Sequence, residues 1–266
     1  MKTVLKTLFT LTLFIILTIT TQIGGVLYVL SICIAKRLKV QLKYNTLIAF
    51  IVLYLMSTLI IVPAVAPLFG RETVTHTAGI KPTNFMTVLL NRNYVRPELN
   101  KLLTKTARAL EGTDIKIRYL DANFPFINAF PLLPHLSHND GKKIDLSLIY
   151  ETPNGNITQT QKSVSGYGVF EAPKPNEYNQ VETCLNSGYF QYDYPKYLTL
   201  GKINSDLIFS ERGTKLLIET LLRRPGLGKL FIEPHLKHRM HLKNDKIRYH
   251  GCGAVRHDDH IHIQLK

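Results

Sequence analysis

The chain has 266 residues, 33 Lys and Arg against 19 Asp and Glu, and a formal net charge of +14, which allows one sizeable domain plus accessories. No nucleic-acid recognition motif accompanies the charge, so no nucleic-acid partner is expected. The excess suits an anionic polymer or a membrane surface, or serves solubility alone.

Composition changes along the chain. Residues 7–35 and 44–70 are uncharged and mostly apolar, and no acidic residue precedes Glu72. Each run is long enough to cross a hydrocarbon core as a helix, so residues 1–69 read as a transmembrane helical hairpin with spans at about 7–35 and 45–67. The connection Lys36–Lys43 carries four positive charges. By the positive-inside rule it is cytoplasmic, which puts the N-terminus and the 70–266 domain outside, in the periplasm or exterior beyond the inner (cytoplasmic) membrane. Within 70–266, 27 basic residues oppose 19 acidic ones, a formal +8. Cys33 falls in the first span as inert packing, whereas Cys184 and Cys252 lie where an oxidising compartment would allow a disulfide. Their pairing stays open at this point.

Arg71 to Tyr94 lacks periodicity and reads as a linker. Pro97–Glu111 is helical, with Leu99, Leu102, Leu103 and Leu110 on one face and Gly112 to stop it. A strand follows at 114–120, then an ordered, proline-bearing loop over 124–134. Asn139-Asp140-Gly141 signals a turn, and 144–150 is a strand whose Ile144, Leu146, Leu148 and Tyr150 share one face, so Asp145 points to the other. The turn can fold His138 back over Asp145.

Six tyrosines between Tyr167 and Tyr197, with Phe170 and Phe190, are either a substrate wall or, by preference, core beneath a long insertion. Asn156-Ile157-Thr158 matches a glycosylation acceptor. Glu211–Arg224 reads as a helix ended by Pro225-Gly226, and Leu230-Phe231-Ile232 as a short buried strand. His235, His238 and His241 recur every third residue among Lys237, Arg239 and Lys243, and are expected to form a solvated basic face without metal.

The last strand, 259–265, alternates: His260, His262 and Gln264 on one face, Ile261, Ile263 and Leu265 on the other. Imidazole is the commonest ligand for zinc, so two on one rigid strand are a candidate half-site. His138, Asp145 and His262 together would make a three-ligand set with one tetrahedral position open, the arrangement of hydrolytic zinc centres. His260, two residues before His262, could then transfer protons, and His257 and His135 could stabilise an oxyanion or fix the ligands.

These residues carry a resemblance. His138-x6-Asp145 with Gly141 between them, joined to His260-x-His262, resembles the zinc peptidase superfamily that includes lysostaphin-type, D-alanyl-D-alanine and hedgehog-like domains. Within it, His135-x-x-His138 plus His257-x-x-His260-x-His262 is most similar to the penicillin-insensitive murein endopeptidases, exported enzymes that cut peptide cross-bridges of peptidoglycan. The resemblance implies that His138, Asp145 and His262 bind Zn2+, that His260 is the catalytic histidine, and that His135 and His257 are auxiliary. It implies peptidoglycan peptides as substrate. The match covers two short blocks, with weaker likeness near 230–237; the membrane hairpin, the long stretch from Asp145 to His257 and the few cysteines depart from the family.

The expected fold is α+β, a mainly antiparallel sheet with flanking helices, hedgehog and D-Ala-D-Ala peptidase-like, with the metal on the polar face of the sheet. The nearest alternative activity is a D-alanyl-D-alanine carboxypeptidase or dipeptidase. Another class is a non-catalytic zinc domain binding a wall polymer or partner. A phosphodiester hydrolase using His257-Asp258 is disfavoured because strand alternation should turn Asp259 away from His260.

Overall fold

The computed structural model describes residues 2–37 and 45–266. The basic connection Lys36–Lys43 therefore lies, from Leu38 onward, outside the described residues. The chain divides into two compact units: Met1–Val74 with Met86–Arg96 and Ala122–Gly141, and Thr75–Phe85 with Pro97–Asp121 and Lys142–Lys266.

In the first unit, two helices, Thr3–Thr21 and Asn45–Phe69, are long and apolar enough to cross a membrane. Residues 7–35, expected as one span, are instead two helices, Lys2–Thr21 and Gly24–Arg37. Gln22 between them adopts a left-handed backbone, φ 68°, which no α-helix continues. The second helix folds back closely on the first. A Cβ on Gly25 would lie 2.5 Å from the Phe14 carbonyl oxygen, so only glycine permits this approach. Lys6 and Lys36 line one cavity. Cys33 is free and exposed.

The Asn45–Phe69 helix includes a π turn at Ser57–Ile61, just before Pro63. Such a turn accommodates a residue that brings no N–H. Gly70, at φ 70°, ends the helix. Val62 and Ala66 near this end pack with Tyr94, and Ile23 and Phe126 join them. The segment from Arg71 to Tyr94 is not a linker. It contains strands Glu72–Thr73 and Ile80–Pro82 and the turn of helix Met86–Leu89, and Glu72–Thr73 pairs with Tyr94–Val95.

The second unit is built on a six-stranded sheet ordered Ile247–Arg248, Leu227–Phe231, His260–Leu265, Lys143–Ser147, Ile117–Tyr119, Ile80–Pro82. Its three central pairings are antiparallel and its two outer ones parallel, so the sheet is mixed, with antiparallel pairing in the majority. The 144–150 strand ends at Ser147, and Tyr150–Glu151 belongs to a separate three-stranded sheet. Helices Pro97–Ala109 and Glu211–Leu222 form as the leucine periodicity predicts and contact each other. Ser210 caps the second, accepting from the Gly213 N–H.

One register sets both faces of the central pair. Ile261 lies opposite Leu146 and Ile263 opposite Ile144, all four fully buried, each contributing on the order of 2 kcal/mol of apolar burial. Strand alternation then requires the intervening residues to meet on the other face: His262 opposite Asp145, and His260 opposite Ser147.

Cys184 and Cys252 form a disulfide. Of the six tyrosines from Tyr167 to Tyr197, only Tyr167 and Tyr192 are buried. Tyr178, Tyr189, Tyr194, Tyr197 and Phe190 are exposed, so the expectation that most of them close a core is not met.

Candidate metal and proton-transfer site

The first unit positions His135 and His138 on a loop held by buried polar contacts. Arg71, just past the apolar helix and 1% exposed, reaches the Phe124 carbonyl oxygen, Asn128 Oδ1 at 2.6 Å and the Asn139 carbonyl oxygen at 3.1 Å. Burial lowers its pKa to about 10, with Asp140 opposing the shift, so it stays charged. Gly141 has φ 79°, and a Cβ there would meet Arg96 Cγ at 3.0 Å and Arg71 Nε at 3.2 Å. Its N–H donates to Asn123 Oδ1 and its carbonyl accepts from Arg96 N–H. His138 is completely buried, and its Nδ1 lies 2.7 Å from the Ala122 carbonyl oxygen. A carbonyl only accepts, so Nδ1 carries the proton and Nε2 presents its lone pair, as a metal ligand must. His135 packs edge-on against His138, ring centroids 5.5 Å apart.

In the second unit Asp145 is fully buried. Its Oδ1 is 2.8 Å from His262 Nδ1, and its Oδ2 accepts from Tyr167 Oη–H at 2.8 Å. A tetrahedral zinc with bonds of about 2.0–2.2 Å separates neighbouring ligand atoms by roughly 3.4 Å. The Asp145–His262 pair therefore needs only a small relaxation to exchange its shared proton for a cation. Tyr167 would then fix the carboxylate from behind, a residue that the sequence had placed only in a tyrosine-rich stretch.

His260 departs from expectation in one respect. Asp259 does not turn away from it: His260 Nδ1 and Asp259 Oδ1 are 2.5 Å apart. Strand geometry begins at His260, so alternation does not govern the residue before it. Asp259 Oδ2 also accepts from the Gly168 N–H at 2.6 Å, and both side chains are buried. Burial disfavours the imidazolium, but Asp259 and Asp145 outweigh it and raise the His260 pKa to about 9. His260 Nε2 lies 3.8 Å from Asp145 Oδ1. A carboxylate on Nδ1 orients the ring, and the raised pKa makes it an imidazolium, a proton donor, at neutral pH.

His257 is 5% exposed, with its ring 4.8 Å from that of His260 and 5.9 Å from that of His262. Burial, reinforced by His260 and His262, holds its pKa well below the ordinary range, so it is neutral. Glu233 brackets it: Glu233 Oε1 accepts from the His257 N–H, and the Glu233 N–H donates to the His257 carbonyl. The other Glu233 oxygen accepts from Tyr192 Oη–H at 2.6 Å. His250, which no spacing had flagged, stacks on His257 at 5.6 Å.

The expected solvated basic face is only partly so. His238 and His241 are exposed, but His235 is 1% exposed, and its Nε2–H donates to the Glu171 carbonyl at 2.8 Å. Arg239 pairs with Glu177 through both carboxylate oxygens.

His135 and His138 in the first unit and Asp145 in the second are residue types that could hold a metal ion. Within the second unit, Asp145 in turn meets His262 and approaches His260. Comparison with protein-family models finds no match, and comparison with curated proteins finds none either.

Proposed function

We propose that this protein is a membrane-anchored zinc metallopeptidase of the murein endopeptidase type, hydrolysing amide bonds in peptidoglycan cross-link peptides. The observation that carries the reading is Asp145, fully buried and in contact with His262 on the neighbouring strand. The two sequence blocks that resemble the peptidase superfamily thus contribute to one donor set of imidazole and carboxylate, which suits zinc. In this reading the second unit is a hedgehog and D-Ala-D-Ala peptidase-like fold.

His138 Nε2, an Asp145 oxygen and a His262 nitrogen would hold the ion. Zinc, when bound, supplies Lewis acidity to the scissile carbonyl. With the Asp145 charge taken up by the ion, His260, oriented by Asp259, would lose one source of its raised pKa and, in its neutral form, take a proton from the attacking water and return it to the leaving amine. His257, neutral and buried, donates a hydrogen bond to the developing oxyanion, and His135 steadies the ligand loop. The disulfide fits an oxidising compartment outside the cytoplasmic membrane, and the four positive charges of the Lys36–Lys43 connection fit a cytoplasmic side for that connection.

The test is digestion of purified murein by the full-length protein in detergent, with and without chelator, followed by mass analysis of the products. Cross-linked muropeptides should fall to monomers with pentapeptide tails intact, and chelation should abolish this until zinc is restored. Loss of terminal D-alanine with cross-links intact would reassign the enzyme as a carboxypeptidase. Unaltered murein with zinc bound would replace the catalytic reading by a binding one.

A further inference from the structure

The helices of the first unit enclose a groove that the proposed peptidase chemistry does not use. It has a volume of about 740 Å³ and is lined by residues of the Lys2–Thr21 and Gly24–Arg37 helices and by Asn45 and Thr46 at the start of the third. That is the size of a small-ligand pocket. Its lining is divided chemically: Phe14, Val29 and Ile32 supply apolar wall, while Lys6 and Lys36 supply two cations. Val29 is 43% exposed, so among the described residues nothing covers this part of the apolar wall. No acidic residue lines the groove, and none occurs in the chain before Glu72, so the two ammonium groups have no carboxylate of their own helices to pair with.

We propose that this groove binds one anionic glycerophospholipid, its phosphate held between Lys6 and Lys36 and an acyl chain laid against Phe14, Val29 and Ile32. A zwitterionic lipid matches the apolar wall equally but brings its own cation to the lysines. Charge therefore supplies the selectivity and apolar area the residence. Each lysine near an anionic headgroup contributes about 1 kcal/mol, so two give roughly thirtyfold preference before competition with bulk lipid.

The test is native mass spectrometry of the full-length chain released from nanodiscs containing phosphatidylglycerol and phosphatidylcholine in equal amounts. The wild type should retain phosphatidylglycerol at least about fivefold over phosphatidylcholine. Lys6→Gln with Lys36→Gln should reduce the ratio to near one, whereas Lys101→Gln with Lys105→Gln, on an exposed face of the Pro97–Ala109 helix, should leave it unchanged. Val29→Trp, which fills the groove and keeps both charges, should lower retention of lipid severalfold. Equal retention of the two lipids by the wild type overturns the proposal, as does an equal loss in the Lys101 and Lys105 pair or undiminished selectivity in the Lys6 and Lys36 pair.

Discussion

His262 lies directly opposite Asp145 across the antiparallel strands, with its Nδ1 2.8 Å from Asp145 Oδ1, although 117 positions separate them. Removing either partner takes one donor from the proposed ligand set. His262→Ala and Asp145→Asn should each lower zinc content from about one ion per chain to a small fraction of that, and weaken affinity by at least about 100-fold. Elemental analysis of the full-length protein, with chelator competition, measures both.

Tyr167 acts on the same carboxylate through Oδ2. Tyr167→Phe keeps the ring beside His260 and deletes only the hydroxyl. Zinc affinity should fall by about 10-fold to 100-fold, with stability changed by about 1 kcal/mol. Unchanged affinity in the chelator assay would remove Tyr167 from the site.

Asp259→Asn should separate proton transfer from metal binding. The variant retains the ligands but offers His260 Nδ1 a neutral partner in place of a carboxylate. Hydrolysis should drop by about 10²-fold to 10⁴-fold while zinc content holds. A loss of zinc with activity would show that Asp259 is structural.

Gly141→Ala tests the loop that carries His138. The residue must keep φ 79° and place its Cβ 3.0 Å from Arg96 Cγ. Thermal denaturation should show a loss of about 1–3 kcal/mol.

His235 makes stability depend on pH. Burial lowers its pKa from 6.5 to about 4, so the unfolded chain takes up a proton before the folded one does. Its contribution is full above about pH 6.5 and declines as pH falls to about 4, by on the order of 3 kcal/mol. Urea unfolding across that range should show the decline, and His235→Gln should flatten it.

Elements with a strong local signal were legible in the sequence. The helices at Pro97–Ala109 and Glu211–Leu222 carry leucine periodicity and end signals, and the alternation after His260 assigns His262 and Ile263 to opposite faces. What could not be read depends on contacts distant in sequence. The fold-back at Gln22 lies within an uncharged, mostly apolar run, where the polar Thr20-Thr21-Gln22 and the following Gly24-Gly25 are the only hints of a turn. Asp259 was misplaced because alternation was extended one residue beyond the strand. His235 looked solvated amid lysines and arginines, yet Glu171 and the surrounding chain bury it. The parallel outer strands of the sheet have no sequence signature of direction, since pairing is decided by the path of the connections.

The packing of Tyr94 on Val62 and Ala66 has a consequence for proteolysis of the chain. Proteolytic shedding just after the Asn45–Phe69 helix would strip the floor from beneath the Tyr94–Val95 strand, whose neighbour Asn123 exchanges backbone hydrogen bonds with Tyr94 and begins the path to His138. The helix is therefore a folding support of the histidine loop, and clipping it should loosen that loop as well as cut the chain.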